Sequence, residues 1–365
     1  MSSHELFVGL MSGTSLDGVD AVLVDLSGPR PRLLAAAHLP FDASLRSALL
    51  ALNAAGESEL ERAALLGNEL ARRYADATAQ VLGAAGIEAS SVRAVGCHGQ
   101  TVRHRPERGY TIQLGNAALL AELSGISVIS DFRSRDIAAG GQGAPLVPAF
   151  HSAVFAHPVE DRVALNLGGI ANLTWLPHAG HVTGFDTGPG NCLLDLWAAR
   201  HLGTAMDEGG AWAAGARPIE GLLERLLAEP FFAAPPPKST GRDLFNERWL
   251  RDKVADDGPP RAVQATLLEL TARTVRDCVA RFCGGVDRVI LCGGGTRNRA
   301  LVRRIGELFA PAAVETSELH GVDPSHVEAT AFAWLAQRAL QRTPGNLPAV
   351  TGARGPRVLG AIYPA

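Results

Sequence analysis

The sequence predicts an α/β protein built from two topologically related halves, and three observations predict it. Strand-like and helix-like segments alternate along the whole chain, the signature of layered α/β architecture. The 365 residues exceed what a single core usually organises, so two domains are the default. A strand–glycine turn–strand unit also occurs twice, beginning near Phe7 and near Val163, each time followed by further α/β segments.

Taken in order, the first unit is "FVGLMSGTSLDGVDAVLVDL", Phe7 to Leu26, two apolar runs joined by a polar turn from Ser12 to Gly18. From Ser58 to Val81 apolar residues recur at helical spacing (Leu60, Ala64, Leu66, Leu70, Tyr74, Ala77, Val81). Ser58 with Glu61 has the spacing of a capping box, and Gly83 and Gly86 are expected to stop the helix. "VRAVGC" (Val92 to Cys97) reads as a short buried strand with "HGQT" at its carboxyl end. "YTIQLG" reads as a strand, "NAALLAEL" as a helix and "ISVIS" (Ile126 to Ser130) as a strand, before a polar, glycine-rich loop from Asp131 to Pro145. "RVALNLGGIANLTWL" (Arg162 to Leu176) repeats the strand–turn–strand theme, and "HVTGFDTGPGN" is a strand running into a loop ahead of the helix "CLLDLWAARHLG". The stretch Glu229 to Arg242, with "PPPKSTGR", reads as an exposed loop. A long helix falls within Arg261 to Phe282, "RVILCGGG" (Arg288 to Gly295) is a buried strand meeting three glycines, "RNRALVRRIGELF" is the helix beyond, and a final helix runs near Val327 to Gln341.

Composition narrows the function classes. An apolar content of 47% with 19% charged residues is that of a folded globular protein. A formal net charge of -3 does not suggest an extended nucleic-acid surface. The five cysteines are odd in number and none stand as C-x-x-C, which argues against a disulfide framework or structural zinc and for a reducing, cytoplasmic compartment. A strand-like run begins within about six residues of the N-terminus, leaving no room for a signal peptide. No stretch approaches the ~18 uninterrupted apolar residues of a membrane span.

The loops carry the chemistry. Ser12, Gly13, Thr14 and Ser15 offer backbone N–H groups with little bulk, and three hydroxyls besides; such a turn can wrap a phosphate by replacing its lost water. It is not a Walker loop: Val19 and Asp20 stand where Lys and Ser or Thr belong, and a strand follows instead of a helix. Charge neutralisation then calls for a metal such as Mg²⁺, with Asp17 and Asp20 at hand, although Asp17-Gly18 also suits an ordinary hairpin turn. "NLGGIANLT" (Asn166, Gly168, Gly169, Asn172) is a second amide-rich turn or a tight structural hairpin. "CGGGTRN" lies between a strand and a helix, where open α/β sheets hold nucleotides. Asp186, in "GFDTGPGN", is a short acid in a tight glycine loop, suited to reach a ligand or to cap the helix starting near Asn191. In the 131–145 loop, Arg133 and Arg135 suit a carboxylate, and Asp136 and Gln142 suit sugar hydroxyls. His98 and Gln100 follow a strand, and no second His or Cys stands at metal-ligand spacing from His98.

The ordered set "GLMSGTSLDGVD", "CHGQT", "DFRSRDIAAGGQGAPLVPAFH", "LNLGGIANLT", "GFDTGPGN", "KSTGRDLFN" and "CGGGTRN" resembles the anhydro-N-acetylmuramic acid kinases, from about Phe7 to near Gln341. That family belongs to the sugar kinase/actin/heat-shock chaperone ATPase superfamily. The resemblance implies two ribonuclease-H-like domains flanking a central cleft, expected as 1–125 plus 342–365 and as 126–341. It implies ATP and Mg²⁺ as cofactors, with Gly13, Thr14, Ser15, Leu16, Asp17, Gly18, Val19 and Asp20 on the phosphates and Asp17 or Asp20 near the metal. Gly168, Gly169, Asn172, Gly293, Gly294, Gly295 and Asn298 would complete the nucleotide site. Asp186 would be the catalytic base, and His98, Gln100, Arg133, Asp136 and Gln142 would contact the sugar. The implied reaction opens the anhydro bridge of 1,6-anhydro-N-acetylmuramic acid with water and phosphorylates the freed O6, a step of peptidoglycan recycling. One stretch departs from the pattern: Ser325-His326 stand where a lysine is expected beside the glutamate of "EATAFA". Partners would be the sugar and ATP, with a homodimer left open. The competing readings are an actin-like or chaperone-like ATPase and an ordinary hexosamine kinase.

Overall fold

The computed structural model describes residues 4–254 and 258–365. Among these, twelve strands run in chain order: β1 (Leu6–Ser12), β2 (Gly18–Asp25), β3 (Arg32–Pro40), β4 (Val92–Arg105), β5 (Tyr110–Leu114), β6 (Val128–Ser130), β7 (Arg162–Leu167), β8 (Ile170–Leu176), β9 (Thr183–Pro189), β10 (Arg288–Cys292), β11 (Ala313–Thr316) and β12 (Ala361–Tyr363). The chain divides into two compact units, Met1–Val154 with Gly321–Ala365, and Phe155–His320.

In the first unit the sheet order is β12-β6-β4-β1-β2-β3, with β5 paired to β4. β1 pairs antiparallel with β2 and parallel with β4, so a meander of three strands is extended by parallel strands from later in the chain. β1 is apolar at almost every position because both faces are covered. Leu6, Val8 and Leu10 face a core that includes Leu70, Tyr74 and Val81 of helix Glu59–Ala85. Phe7 faces the opposite core, built with Phe332 and Ala333 of helix Val327–Leu340. That helix lies unusually close to the sheet because Gly9 and Gly96 are register partners. A Cβ at either would overlap the carbonyl oxygen of Ala329 or Phe332.

The second unit repeats the plan, with sheet order β11-β10-β7-β8-β9. β7, β8 and β9 form an antiparallel meander, and β10 and β11 extend it in parallel from β7. Val163, Leu165, Leu167 and Leu173 face a core shared with helices Cys192–Leu202, Pro260–Phe282 and Arg299–Phe309. In both units the first three strands form an antiparallel meander and two later strands extend it in parallel from the first, β4 and β6 in one unit and β10 and β11 in the other, which is the ribonuclease-H-like arrangement the resemblance implies.

Several local expectations need correction. Ser58 has left-handed backbone and no capping hydrogen bond, so no capping box forms. Gly83 lies inside the helix, and only Gly86, at φ 64°, ends it. "HGQT" is not beyond a strand end: β4 continues to Arg105 because β5 pairs with its second half. Asp186 sits mid-strand in β9 rather than in a loop, since β8 pairs with β9 as far as Pro189. The division at 125/126 and 341/342 also differs from the observed one. β6 pairs with β4, and helix Val327–Leu340 packs against β1 and β4, which draws both into the first unit.

Candidate active site

In the first unit the site begins at the turn between β1 and β2. Leu16 takes a positive φ of 55° and buries its side chain, and its amide donates to the Gly13 carbonyl at 3.2 Å. This plug leaves Thr14, Ser15 and Asp17 exposed. Leu16 and Val19 are core side chains, so only their backbone can meet a ligand. The turn is braced from below. The Ser12 hydroxyl pairs with the Tyr74 hydroxyl at 2.8 Å and donates to the Gly99 carbonyl at 3.1 Å. Gln100, 1% exposed, donates from Nε2 to the Gly13 carbonyl at 3.0 Å, and its buried Oε1 has no partner among the described residues.

Two carboxylates flank the turn. Asp17 accepts from the Ser15 hydroxyl at 2.8 Å and Asp20 pairs with His38 Nδ1 at 2.8 Å, each through Oδ1. A third, missed from the sequence, is Glu328 in the first turn of helix Val327–Leu340. Desolvation raises its pKa despite its exposed surface, Asp20 and Asp17 add to the rise, and the Arg133 charge opposes it. The signal available was a lone carboxylate opening an otherwise apolar helix.

Among the sugar candidates, Arg133 is half-buried, and burial lowers its pKa to about 10 against the opposing pull of Glu328. It donates from Nη1 to the Gly143 carbonyl at 2.8 Å and from Nε and Nη2 to His98 Nε2 at 3.2 and 2.8 Å. His98 is 4% exposed, and burial together with Arg133 drives its pKa down to about 3, so the ring is neutral. Gln142 is exposed. Asp136 is different: it is fully buried, and its carboxylate accepts from the Gly143 amide at 2.8 Å, Asn346 Nδ2 at 2.6 Å and the Thr351 hydroxyl at 2.8 Å. With both oxygens engaged by its own unit, Asp136 ties the 131–145 loop to the C-terminal segment instead of facing a ligand.

In the second unit, pairing register sets Asn166, Asn172 and Asp186 in one row across β7, β8 and β9, so their side chains leave the same face of the sheet. The Asp186 carboxylate is clasped by Lys238–Thr240, part of the stretch that by sequence reads as an exposed loop. Its Oδ2 accepts from the Thr240 amide at 2.9 Å and the Ser239 hydroxyl at 3.1 Å, while the Asp186 amide donates to the Lys238 carbonyl at 3.2 Å. Lys238 is in turn anchored: Nζ donates to the Phe231 carbonyl at 3.2 Å and sits 4.7 Å from the Phe231 ring centre. Oδ1 has no protein partner among the described residues. Burial raises the Asp186 pKa, and the two hydrogen bonds and Lys238 only partly offset it. Nothing local in "KSTG" marks Ser239 and Thr240 as partners of an acid some fifty residues earlier.

The glycine loops divide by role. Gly168 and Gly169 spend their carbonyls on the start of helix Cys192–Leu202, accepting from the Asn191 amide at 2.8 Å and the Gly190 amide at 2.9 Å. A Cβ at Gly190 would overlap the Gly168 carbonyl. Gly293, at φ 86°, and Gly295 press against the end of β7, whereas Gly294 faces open space. Asn298 caps helix Arg299–Phe309 through its Oδ1, which accepts from the Leu301 amide at 3.0 Å.

Among the described residues no three His, Cys, Asp or Glu side chains form a ready-made metal cluster, and no helix is long and apolar enough to cross a membrane. The family model described as anhydro-N-acetylmuramic acid kinase matches residues 5–365. A protein of that name from Nitrosospira multiformis is 55% identical over 361 residues, 98% of this chain and 99% of its own. One from Bordetella parapertussis is 57% identical over 365 residues, 99% of this chain and 96% of its own. Among solved structures, a ROK hexokinase from Thermus thermophilus covers 91% of this chain and 99% of its own at 15% identity and a TM-score of 0.39, a likeness too slight to carry a conclusion. With the family model spanning nearly the whole chain and identities above half, the chain belongs to the anhydro-N-acetylmuramic acid kinases, a family of sugar kinases.

Proposed function

We propose that this kinase opens 1,6-anhydro-N-acetylmuramic acid with Asp186 as the base. The observation that carries the reading is the divided carboxylate of Asp186, one oxygen tied by Ser239 and Thr240 and the other left for a ligand. Water is a weak nucleophile at neutral pH, so a positioned carboxylate must take its proton, and a raised pKa makes that carboxylate a better acceptor. Oδ1 takes a proton from the water as its oxygen bonds to the anomeric carbon. The bond from that carbon to O6 breaks, O6 bonds to the γ-phosphorus of ATP, and ADP leaves with the bridging oxygen.

The exposed Thr14 and Ser15 with the backbone of the β1–β2 turn bind phosphate. Gly294, open on its side-chain face, allows close approach of the nucleotide. The residues present also fit Mg²⁺. That ion keeps several waters and needs only one or two carboxylates beside substrate phosphates, and Asp17 and Asp20 each have one oxygen, Oδ2, outside the turn's own hydrogen bonds. When bound, it neutralises charge on the transferring phosphoryl group. Arg133, with N–H groups to spare, meets the lactyl carboxylate of the sugar. Gln100 Oε1, buried and without a partner among the described residues, suits a donor such as a water or a sugar hydroxyl.

The test is a coupled ADP-release assay with the anhydro sugar, run against the ring-opened sugar, with the phosphorylated product weighed by mass spectrometry. We expect preference for the anhydro sugar. Preference for the open form makes this an ordinary hexosamine kinase, and sugar-independent ADP release makes it an ATPase.

A further inference from the structure

We propose that His98 is a positioning residue: its imidazole, fixed as the Nδ1–H tautomer, ties the Arg133 guanidinium to the backbone of the phosphate turn and so aims it at an anionic group of the substrate. A guanidinium only donates, so the nitrogen facing it must offer a lone pair. His98 Nε2 lies 2.8 Å from Nη2 and 3.2 Å from Nε of Arg133. The ring proton therefore resides on Nδ1, which faces the Ser12 carbonyl at 3.3 Å, an atom that only accepts. One tautomer satisfies both contacts, and an imidazolium would set N–H against N–H.

The ring has little freedom to choose otherwise. It is almost fully buried and packs on Phe332 at 4.7 Å between ring centres. Its backbone anchor is equally constrained, since Ser12 is held by the Tyr74 hydroxyl and the Gly99 carbonyl. With Nη1 on the Gly143 carbonyl, Arg133 has three donors committed within the protein. One N–H remains on each of Nη1 and Nη2, and these are the ones presented to a ligand. Rotamer freedom that a flexible arginine would lose on binding is thus removed beforehand. His98 acts through Arg133 and not on the sugar itself, which its burial prevents.

The inference rests on Arg133 meeting the sugar's carboxylate, and the experiments separate the two. Nitrogen-15 NMR of the unliganded wild-type protein at neutral pH is expected to show a protonated Nδ1 and an acceptor-type Nε2 in His98. The opposite tautomer or a doubly protonated ring overturns the hydrogen-bonding scheme whatever Arg133 binds. By calorimetry without ATP, His98→Leu is expected to weaken sugar binding about tenfold, the size of a lost charge-assisted hydrogen bond. His98→Gln, with an acceptor near the Nε2 position, is expected to bind the sugar within about threefold of wild type, a comparison that does not need the leucine variant to fold; a tenfold loss in the folded glutamine variant overturns the acceptor role. In an Arg133→Ala background the substitution at 98 is expected to add nothing. Full additivity of the two losses overturns positioning. Unchanged sugar affinity in Arg133→Ala alone overturns the assignment of that arginine to the carboxylate, and with it the aiming role.

Discussion

Oδ2 of Asp186 accepts a hydrogen bond from the amide of Thr240 at 2.9 Å, across 54 residues of chain. This contact orients the carboxylate without blocking Oδ1, so an Asp186→Asn variant preserves the shape of the clasp while losing the base. We expect it to retain ATP binding, measured by calorimetry, and to lose turnover by about 10²-fold or more. Near-normal turnover would remove Asp186 from the mechanism.

The same residue makes a stability prediction whose sign follows from its raised pKa. Folding disfavours the charged form, so Asp186 costs stability at neutral pH, and the cost fades as pH falls and the group is protonated. Asp186→Asn is therefore expected to raise the melting midpoint at pH 7 by about 2 °C, with the gain shrinking toward acid pH. A gain that grows on acidification would contradict the desolvated setting of this carboxylate.

Gly9 and Gly96 set how close the Val327–Leu340 helix lies to the sheet. Alanine at either position drives a methyl into a helix carbonyl, Ala329 or Phe332, and the backbone cannot yield as a flexible side chain would. Each substitution is expected to cost about 3 kcal/mol, seen as a loss of roughly 10 °C in the thermal midpoint. Unaltered stability would mean that the helix sits farther from the strands.

Asp136 holds the ends of its unit together, since Asn346 and Thr351 donate to it from more than 200 residues away. Asp136→Ala takes the acceptor from the Gly143 amide and leaves Asn346 and Thr351 only long contacts of 3.4 Å to backbone carbonyls, and is expected to destabilise the protein by about 3 kcal/mol. Sugar affinity of the folded protein, measured by calorimetry, is expected to stay within about twofold of wild type. A large loss of affinity at unchanged stability would restore Asp136 to the sugar site.

Much of the fold was legible because its signals are local. Both strand–turn–strand units, the amphipathic run closed by Gly86 and the strand meeting Gly293 follow from periodicity and turn chemistry within windows of about twenty residues. Two of the corrections share one cause. By sequence "HGQT" lies past a strand and Asp186 in a glycine loop, but pairing with β5 and β8 carries β4 and β9 through them. Asp136 has the chemistry of a ligand contact, and only its neighbours reveal a buried tie.

The sequence by itself determined the alternation of elements, the doubled plan and the family, since these depend on residue order alone. Tertiary structure decided which polar groups are occupied and which are left to act. It is folding that brings Ser239 and Thr240 onto one oxygen of Asp186, sets Glu328 in the field of Asp17 and Asp20, and turns His98 into an acceptor for Arg133. The physical reason is that a hydrogen bond is satisfied by whatever donor lies within about 3 Å in space, and distance along the chain carries no record of that.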